Sequence, residues 1–431
     1  METLLERRKR LLGKAYRLFY DNPVHIVRGE GVWLFDADGK RYLDVYNNVP
    51  HVGHCHPRVV EAIHHQAQIL NTHTRYLHET VLDYAERLTA RFPAGLDIAM
   101  FACTGTEANE LALRLARAAT GNDGMIITEH AYHGNSWAVA QITSCYTKAE
   151  QRGDNIVTVP TPDMFRGLYA NDKAAAQKYA AHVQAAVETL VRNGHRPAAL
   201  IVDTVFANEG LPNVPPTYLQ QAVDIVRRAG GLFIADEVQP GFGRLGDHFW
   251  GYERHGVVPD IVTLGKPMAN GYPVSAVVTT KPVTDAFSRD AHYFNTFAGT
   301  PVACAAALAV LEVIDQQDLV AKALKTGEYL FDHLKDLATD HDMIGDVRGS
   351  GLFIGIELVR DHDNLEPATV ETAKLVNLLR NRGILINSTG LYDNVLKIRP
   401  PMIFGAEHAD LLLQKLAGAL EEIRAPVHRK S

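Results

Sequence analysis

The 431-residue chain is predicted to be an α/β protein with a mainly parallel sheet and a second, smaller α+β domain. Short apolar runs alternate with segments of helical periodicity, which is typical of buried parallel strands covered by helices on both faces. The last third changes to long helices and short strand candidates, and the length exceeds what one ordinary core holds. The predicted strands of the large sheet are 98–102, 125–128, 199–202, 232–235, 261–264 and 274–278.

The remaining elements flank this sheet in the chain. Residues 1–20 predict an amphipathic helix, and 31–46 predict a hairpin around an Asp-Ala-Asp-Gly turn. Further helices are predicted over 57–70, 80–91, 303–314, 319–337 and 407–423, and further strands over 344–359, 383–386 and 395–398. We therefore expect a large domain over 58–303 and a small domain built from both chain ends, 1–57 and 304–431.

Composition limits the classes of partner. Apolar residues make up 46% of the chain and charged residues 22%, which is typical of a globular protein. The net charge of −7 favours neither nucleic acid nor an anionic membrane surface as a partner. No apolar run reaches the length of a membrane span, and the first residues lack the apolar centre of a signal peptide. The four cysteines fit no disulfide or zinc spacing, so we expect a reduced, cytoplasmic setting.

Two strand ends carry side chains of chemical interest, because ligands of parallel sheets bind beyond the carboxyl ends of the strands. Asp236 ends one apolar run, where it could keep a pyridine nitrogen protonated or simply cap the next turn. Lys266 follows another run after a single glycine. A partly desolvated lysine has a lowered pKa and can form an imine, whereas a surface-loop lysine would have neither property.

Two further segments follow predicted strands. Gly105 and Thr106 stand where a helix begins, so free backbone N–H groups and the helix dipole could bind phosphate, unless Thr104 or Thr106 merely caps the helix. Tyr132, in the segment 129–134, could lie against an aromatic cofactor or pack in a loop. Together the cradle, the aromatic ring, the acid and the lysine predict a site for a phosphorylated pyridine aldehyde.

A histidine-rich segment, His51, His54, Cys55 and His56, could suggest a metal site. Its spacing matches no zinc finger, and a proline follows directly. We therefore predict no metal.

Three motifs resemble those of the class III aminotransferases. They are FIADEVQPGFGR at 233–244, Gly-Lys at 265–266 with Asn-Gly at 270–271, and NTFAGTP at 295–301. The resemblance runs from about Tyr42 to the C-terminus. It implies a fold type I transferase that depends on pyridoxal 5′-phosphate (PLP), with a mainly parallel seven-stranded sheet in its large domain, and a homodimer with active sites at the subunit interface.

The resemblance also implies roles for single residues. Lys266 would be the Schiff-base lysine and proton shuttle, and Asp236 would pair with the pyridinium nitrogen. Arg399, in the segment KIRPP, is similar to the family's carboxylate-binding arginine. The other implied cofactor residues are Gly105 and Thr106 at the phosphate, Tyr132, His133 and Val238 around the ring, Gln239 at the ring hydroxyl, and Thr296 at the partner subunit's phosphate.

One segment departs from the family pattern. Many members carry a second Glu in an EPIQGEGG stretch, which neutralises the carboxylate arginine, but this chain has DTVFANEG at 203–210. Asn208 falls at that position, so a simple dual-substrate switch is not expected. The segments NNVPHVGHCHP, NTHTRYLH, TPDMFRG and NVLKI look like the ethanolamine-phosphate phospho-lyases, and alanine–glyoxylate-type aminotransferases share some of them.

These resemblances predict a PLP-dependent phospho-lyase that eliminates phosphate from a small phosphorylated amine such as O-phosphoethanolamine. Arg75 and Arg399 are our candidates for the leaving phosphate, with Asn208 beside the substrate and Arg166 as a weaker candidate, because guanidinium groups suit phosphate best. The alternative is an aminotransferase that uses pyruvate or glyoxylate. A remote alternative is a PLP-binding protein without turnover.

Overall fold

The computed structural model describes residues 3–148 and 151–424. Within these residues no helix is long and apolar enough to cross a membrane. The helices are α1 (Leu4–Leu12), α2 (Pro57–Ile69), α3 (Glu79–Thr89), α4 (Gly105–Thr120), α5 (Trp137–Gln141), α6 (Ala175–Arg192), α7 (Tyr218–Arg228), α8 (Lys281–Ser288), α9 (Pro301–Gln316), α10 (Leu319–Asp340), α11 (Thr369–Asn381) and α12 (Ala406–Arg424).

The strands form three sheets. Short 3₁₀ turns also cover Gly251–His255 and Lys266–Ala269. The strands are β1 (Ile26–Glu30), β2 (Trp33–Asp36), β3 (Arg41–Asp44), β4 (Ile98–Ala102), β5 (Gly124–Thr128), β6 (Ile156–Val159), β7 (Pro197–Asp203), β8 (Leu232–Asp236), β9 (Ile261–Leu264), β10 (Ser275–Thr279), β11 (Ile344–Ser350), β12 (Phe353–Asp361), β13 (Glu366–Pro367), β14 (Ile384–Leu385), β15 (Asn387–Thr389) and β16 (Val395–Ile398).

The large sheet has seven strands in the order β4-β10-β9-β8-β7-β5-β6. Strand β10 runs antiparallel to both its neighbours, and the other pairs in the sheet are parallel. Strands β5 and β7 to β10 are almost wholly buried, as continuous apolar runs between covering helices should be. The predicted mixed α/β class and the six predicted strands are confirmed.

Strand β6 was not predicted from the continuous apolar runs in the sequence. Its four residues, Ile-Val-Thr-Val, include a polar position and lie at the edge of the sheet, where burial is partial. A short edge strand lacks the continuous apolar run that marks a central one.

The two smaller sheets join distant parts of the chain. One has the order β1-β2-β3-β14, and the other contains β11-β12-β16-β15 with β13 beside β12. The predicted hairpin around residues 36–39 is confirmed as β2 and β3. The domain boundaries at 57/58 and 303/304 stay a prediction, and helix α9 continues through the second of them.

Two predicted elements were wrong in extent. The first helix ends at Leu12 rather than near residue 20, because Gly13 takes a φ of +71°. Residues 1 and 2 of that prediction lie outside the described residues. The strand predicted over 344–359 is two antiparallel strands, β11 and β12, which reverse direction at Gly351 with a φ of +51°. The Gly-Ser-Gly segment at 349–351 marks this turn in the sequence.

Candidate active site

The carboxyl ends of the parallel strands bring acidic side chains together at one edge of the large sheet. Asp203, the last residue of β7, pairs in register with Asp236, the last residue of β8. Asp236 in turn pairs with Thr263 of β9, and Lys266 follows two residues after that strand ends. The sheet register therefore places the predicted acid and the predicted lysine at the same edge.

A cavity opens at this edge and collects most of the predicted cofactor residues. Lys266 and Asp236 line it together with the start of helix α4 and the loop after β5. The full lining is Gly105, Thr106, Asn109, Tyr132, His133, Gly134, Asp203, Asp236, Val238, Gln239 and Lys266. Eight residues predicted from sequence therefore share one cavity, and Asn109, Gly134 and Asp203 are additional members.

Asp236 is held by three donors. Its Oδ2 accepts hydrogen bonds from Nδ1 of His133 at 2.7 Å and from Nδ2 of Asn109 at 3.0 Å. Its Oδ1 accepts one from the backbone N–H of Val238 at 3.0 Å. The carboxylate is buried, so these donors both fix its orientation and offset the loss of water. Asp236 is thus fixed in place at the wall of the cavity.

Helix α4 begins with a capping box in which Thr106 takes no part. Thr104 is the N-cap, and its hydroxyl accepts from the backbone N–H of Glu107 while the Glu107 carboxylate turns back to the N–H of Thr104. Of the two capping residues considered from sequence, Thr104 therefore fills that role. Thr106 instead contacts Asn135, whose backbone N–H lies 3.3 Å from its hydroxyl.

Glycines bring backbone close to this cradle. A Cβ on Gly134, whose φ is +144°, would lie 2.5 Å from Oγ1 of Thr106. A Cβ on Gly105 would lie 3.2 Å from the side chain of Val238. Gly134 has no room for a side chain, whereas at Gly105 the Val238 side chain would have to shift slightly to make room for one.

Lys266 has the electrostatic surroundings of a nucleophilic amine. Burial, with a further contribution from the Arg399 cation, lowers the pKa of Lys266 to about 8, against the opposing influence of Asp236 and Asp203. A larger fraction of the amine is therefore neutral near physiological pH than for a solvent-exposed lysine. Neutral amine is the form that attacks a carbonyl carbon.

Arg399 approaches the cavity through Gln239. Its Nη1 donates to Oε1 of Gln239, whose own Nε2 donates to Asp203 at 3.2 Å. The guanidinium also donates to the backbone oxygen of Tyr46 at 3.0 Å and lies over the Tyr46 ring. Among the described residues, no carboxylate forms an ion pair with this buried arginine.

Three predicted residues lie away from the cavity. Arg75 is exposed, and its guanidinium carbon lies 3.7 Å from the centre of the Phe294 ring. Thr296, two residues after Phe294, is also exposed. Asn208 donates to the backbone oxygen of His130 at 3.3 Å and has no contact with Arg399 in the described part of the chain. Their assigned roles stay predictions.

Arg166 and the histidine-rich segment serve the fold. Arg166 pairs with the buried carboxylate of Glu357. His54 pairs with Asp44 at 2.7 Å, and His51 contacts the backbone oxygen of Phe242 at 2.8 Å. In the described ranges no three acidic, histidine or cysteine side chains cluster as a metal site would require.

Sequence reasoning passed over Asp203 and Asn109. Asp203 ends the apolar run 199–202, so the rule that identified Asp236 also applies to it. Burial and the nearby Asp236 and Glu209 carboxylates raise the pKa of Asp203 well above its usual value. Asn109 lies in the second turn of α4, and nothing in its sequence position signalled that its side chain turns to Asp236.

The fold and the site define a class of α/β enzyme that has a lysine, a carboxylate and a phosphate cradle at one edge of a mainly parallel sheet. The profile of the aminotransferase class-III family matches residues 18–420. The chain belongs to that family, and the predicted fold type I architecture is confirmed.

Three known proteins show the range of activities among similar chains. A phospholyase from Arthrobacter, solved in complex with phosphoethanolamine, is 45% identical with a TM-score of 0.95, covering 98% of this chain and 100% of that one. The alanine–glyoxylate aminotransferase 2-like protein of Drosophila melanogaster is 41% identical over 95% of this chain and 85% of its own length. A PLP-bound amine transaminase from an uncultivated Pseudomonas species is 29% identical with a TM-score of 0.85, covering 94% and 96%.

Proposed function

We propose that the chain is a PLP-dependent phospho-lyase that acts on a small phosphorylated amine such as O-phosphoethanolamine. The observation that carries this choice is the similarity, over nearly the whole of both chains, to the phospholyase solved with phosphoethanolamine. The buried Arg399 cation supports it, because an anionic substrate would supply the charge that the surrounding protein does not.

The residues of the cavity fit PLP. The Asp236 carboxylate, fixed by His133 and Asn109, suits a protonated ring nitrogen. The first turn of α4 and the Thr106 hydroxyl suit a phosphate group, because a helix N-terminus offers free N–H donors and the positive end of the dipole. Lys266, with its lowered pKa, suits the aldehyde. When bound, PLP supplies an electron sink for charge that develops beside the substrate nitrogen.

The chain's own residues would then move one proton and stabilise one charge. Lys266 removes a proton from the carbon that bears nitrogen, and Asp236 keeps the ring nitrogen protonated. The bond between the neighbouring carbon and the phosphate oxygen breaks, and its electron pair leaves with phosphate. Addition of one water balances the reaction: O-phosphoethanolamine and water give acetaldehyde, ammonia and inorganic phosphate.

The test is release of phosphate without an acceptor. Holoenzyme with O-phosphoethanolamine and no keto acid should produce inorganic phosphate and acetaldehyde in equal amounts. Background phosphate release together with fast amine transfer to pyruvate would show that the lyase proposal is wrong.

Amine transfer is the second candidate, favoured by the similarity to the Drosophila protein and to the amine transaminase. It would leave the cofactor as pyridoxamine phosphate, whereas elimination returns the original cofactor. Absorbance spectra after addition of one amine at a time separate the two outcomes. The similar proteins include enzymes, which supports turnover over the remote alternative of a PLP-binding protein without activity.

A homodimer is part of the proposal, with Thr296 contributed to the partner's phosphate. An exposed surface supports it: Tyr76 is 67%, Leu77 97% and Phe297 73% exposed, and Thr296 lies directly before Phe297. Apolar surface of this kind marks an interface. Arg75, on the same surface, would likewise act across that interface. The cytoplasmic setting stays a proposal from the cysteine pattern.

A further inference from the structure

Lys397 is a buried lysine that neither the sequence motifs nor the cofactor site accounts for. It lies on β16, and only 2% of its surface is exposed. Lysine is almost never fully buried unless it is paired, because removing an ammonium group from water is costly. In the described part of the chain, however, no carboxylate forms an ion pair with it. Its burial therefore calls for an explanation.

The strand pattern places Lys397 and Arg399 on one face. Leu396 and Ile398 belong to the hydrophobic core, so the residues that alternate with them face the other way. Lys397 pairs in register with Gly355 of β12 and Asn387 of β15, and neither neighbour brings a charge. Two buried basic side chains thus lie two residues apart on one side of the small sheet.

The nearby carboxylates are engaged elsewhere. Asp203 accepts from Gln239 and from the backbone N–H of Val205, and Glu209 accepts from Thr128 at 2.7 Å. Glu357, on the adjacent strand, pairs with Arg348 at 2.6 Å and with Arg166. Burial raises the pKa of both Asp203 and Glu209, which weakens them further as counter-charges.

Arg399 acts electrostatically on the amine that is proposed to remove the proton. Burial lowers the pKa of both Lys266 and Lys397, and the Arg399 cation lowers both further, while Asp203 opposes the shift at each lysine. Arg399 therefore repels both amines, and its hydrogen bond to Gln239 places the face that it shares with Lys397 next to the cavity. A phosphate dianion bound by Lys397 and Arg399 would offset this repulsion. It would lie near Lys266, because the carbon that bears the phosphate is bonded to the carbon that loses the proton.

We propose that Lys397 binds the phosphate group of the substrate together with Arg399 and so determines specificity for phosphorylated amines. This inference rests on the proposed lyase function and assigns the phosphate subsite within it. Arg166 is paired with Glu357, so within this chain Lys397 and Arg399 take its place as the phosphate ligands.

The test compares holoenzyme variants at Lys397. Lys397→Met should raise KM for O-phosphoethanolamine and the Kd for inorganic phosphate, measured by calorimetry, by about tenfold or more, as expected for loss of a charge-assisted hydrogen bond. Lys397→Arg keeps the cation and should restore both constants to within about threefold of wild type. Lys281→Met removes an exposed lysine that is paired with Asp285 and should change neither constant.

Each outcome decides one point. Wild type that releases no phosphate refutes the lyase function and this inference with it. Wild type that releases phosphate, with both constants unchanged in Lys397→Met, refutes the inference alone. Loss of the bound-cofactor absorbance would mark a misfolded variant, and Lys397→Gln would then take its place. Independently of variants, inorganic phosphate should inhibit wild type competitively against O-phosphoethanolamine, and absence of inhibition would overturn the subsite.

Discussion

The carboxylate of Asp236 and the imidazole of His133 share a buried hydrogen bond of 2.7 Å, from Nδ1 to Oδ2. The backbone oxygen of His133 accepts from Asn109 at 2.7 Å, and Asn109 also donates to Asp236. The Asp236 carboxylate is therefore fixed by both side chains, and Asn109 also holds the backbone of His133. His133 was predicted to bind the cofactor, and this contact gives it the further property of orienting the acid.

Replacement of His133 tests that orienting contact. His133→Phe removes the donor, so the carboxylate loses one of its fixed partners and we expect kcat for phosphate release to fall about 10- to 100-fold, as for other groups that orient an active-site ligand. His133→Asn keeps an N–H donor of similar reach and should retain most of the rate. Steady-state kinetics of both holoenzymes check this, and equal rates for His133→Phe and wild type would contradict it.

Gly134→Ala tests the cradle around Thr106. The new Cβ would lie 2.5 Å from Oγ1 and 2.9 Å from Cα of Thr106, so the hydroxyl must move. We expect Kd for PLP to rise about tenfold or more, since overpacking of this kind costs roughly 1–3 kcal/mol. Titration of the cofactor-free protein with PLP, followed by absorbance, measures the change.

A matched control separates the clash from backbone strain. Gly194 also has a positive φ, +86°, but a Cβ there would meet nothing within 4 Å. Gly194→Ala should therefore cost stability without weakening PLP binding. If both variants weaken binding equally, displacement of Thr106 is not the cause.

The sequence predicted the centre of the site well because its parts follow a local rule. Asp236 and Lys266 each end a continuous apolar run, and parallel strands carry their ends to one edge. The same rule, applied to 199–202, would also have found Asp203. The sequence does not show whether Thr104 or Thr106 caps helix α4, and only the hydrogen bonds at the start of the helix identify Thr104 as the cap.

The parts that sequence could not predict depend on long-range packing. The placement of Lys397 depends on the pairing of β16 with β12 and β15, and this register is not encoded near residue 397. Arg166 has the chemistry of a phosphate ligand, but its partner Glu357 lies 191 positions away in sequence. Only the fold decides which arginine is paired and which is free for a ligand.

Glu357→Gln tests the structural role given to that ion-pair network. Glu357 is buried and pairs with Arg348 at 2.6 Å and with Arg166, so its loss leaves two cations with less compensation. We expect the free energy of unfolding to fall by about 3 kcal/mol, as for other broken buried pairs. Urea denaturation of the holoenzyme measures it.

An exposed pair provides the comparison. Glu366→Gln disrupts a contact with Arg360 in which both side chains are at least 40% exposed, and it should cost less than about 1 kcal/mol. A Glu357→Gln variant as stable as Glu366→Gln would show that the buried network contributes little.

The lowered pKa of Lys266 predicts a pH dependence of stability in the cofactor-free protein. Burial and Arg399 place this pKa at about 8, against 10.5 for the ordinary lysine value that the unfolded chain should have. Between these two pH values the unfolded state binds more protons than the folded state, so stability rises with pH. The rise due to Lys266 should reach at most about 3 kcal/mol by pH 10.5, at about 1.4 kcal/mol for each unit of difference.

Lys266→Met isolates this contribution. Methionine cannot titrate, so the unfolding free energy of the variant should lack the rise between pH 8 and 10.5. At pH 7 the variant should be more stable than wild type, because the ammonium form of Lys266 is disfavoured by burial. Urea denaturation of both cofactor-free proteins at several pH values gives the difference curve. Parallel curves would mean that Lys266 titrates like an exposed lysine, and its amine would then not be pre-activated to react with the PLP aldehyde near neutral pH. The same variant should also lose phosphate release, because none of the other described residues that line the cavity has an amine side chain.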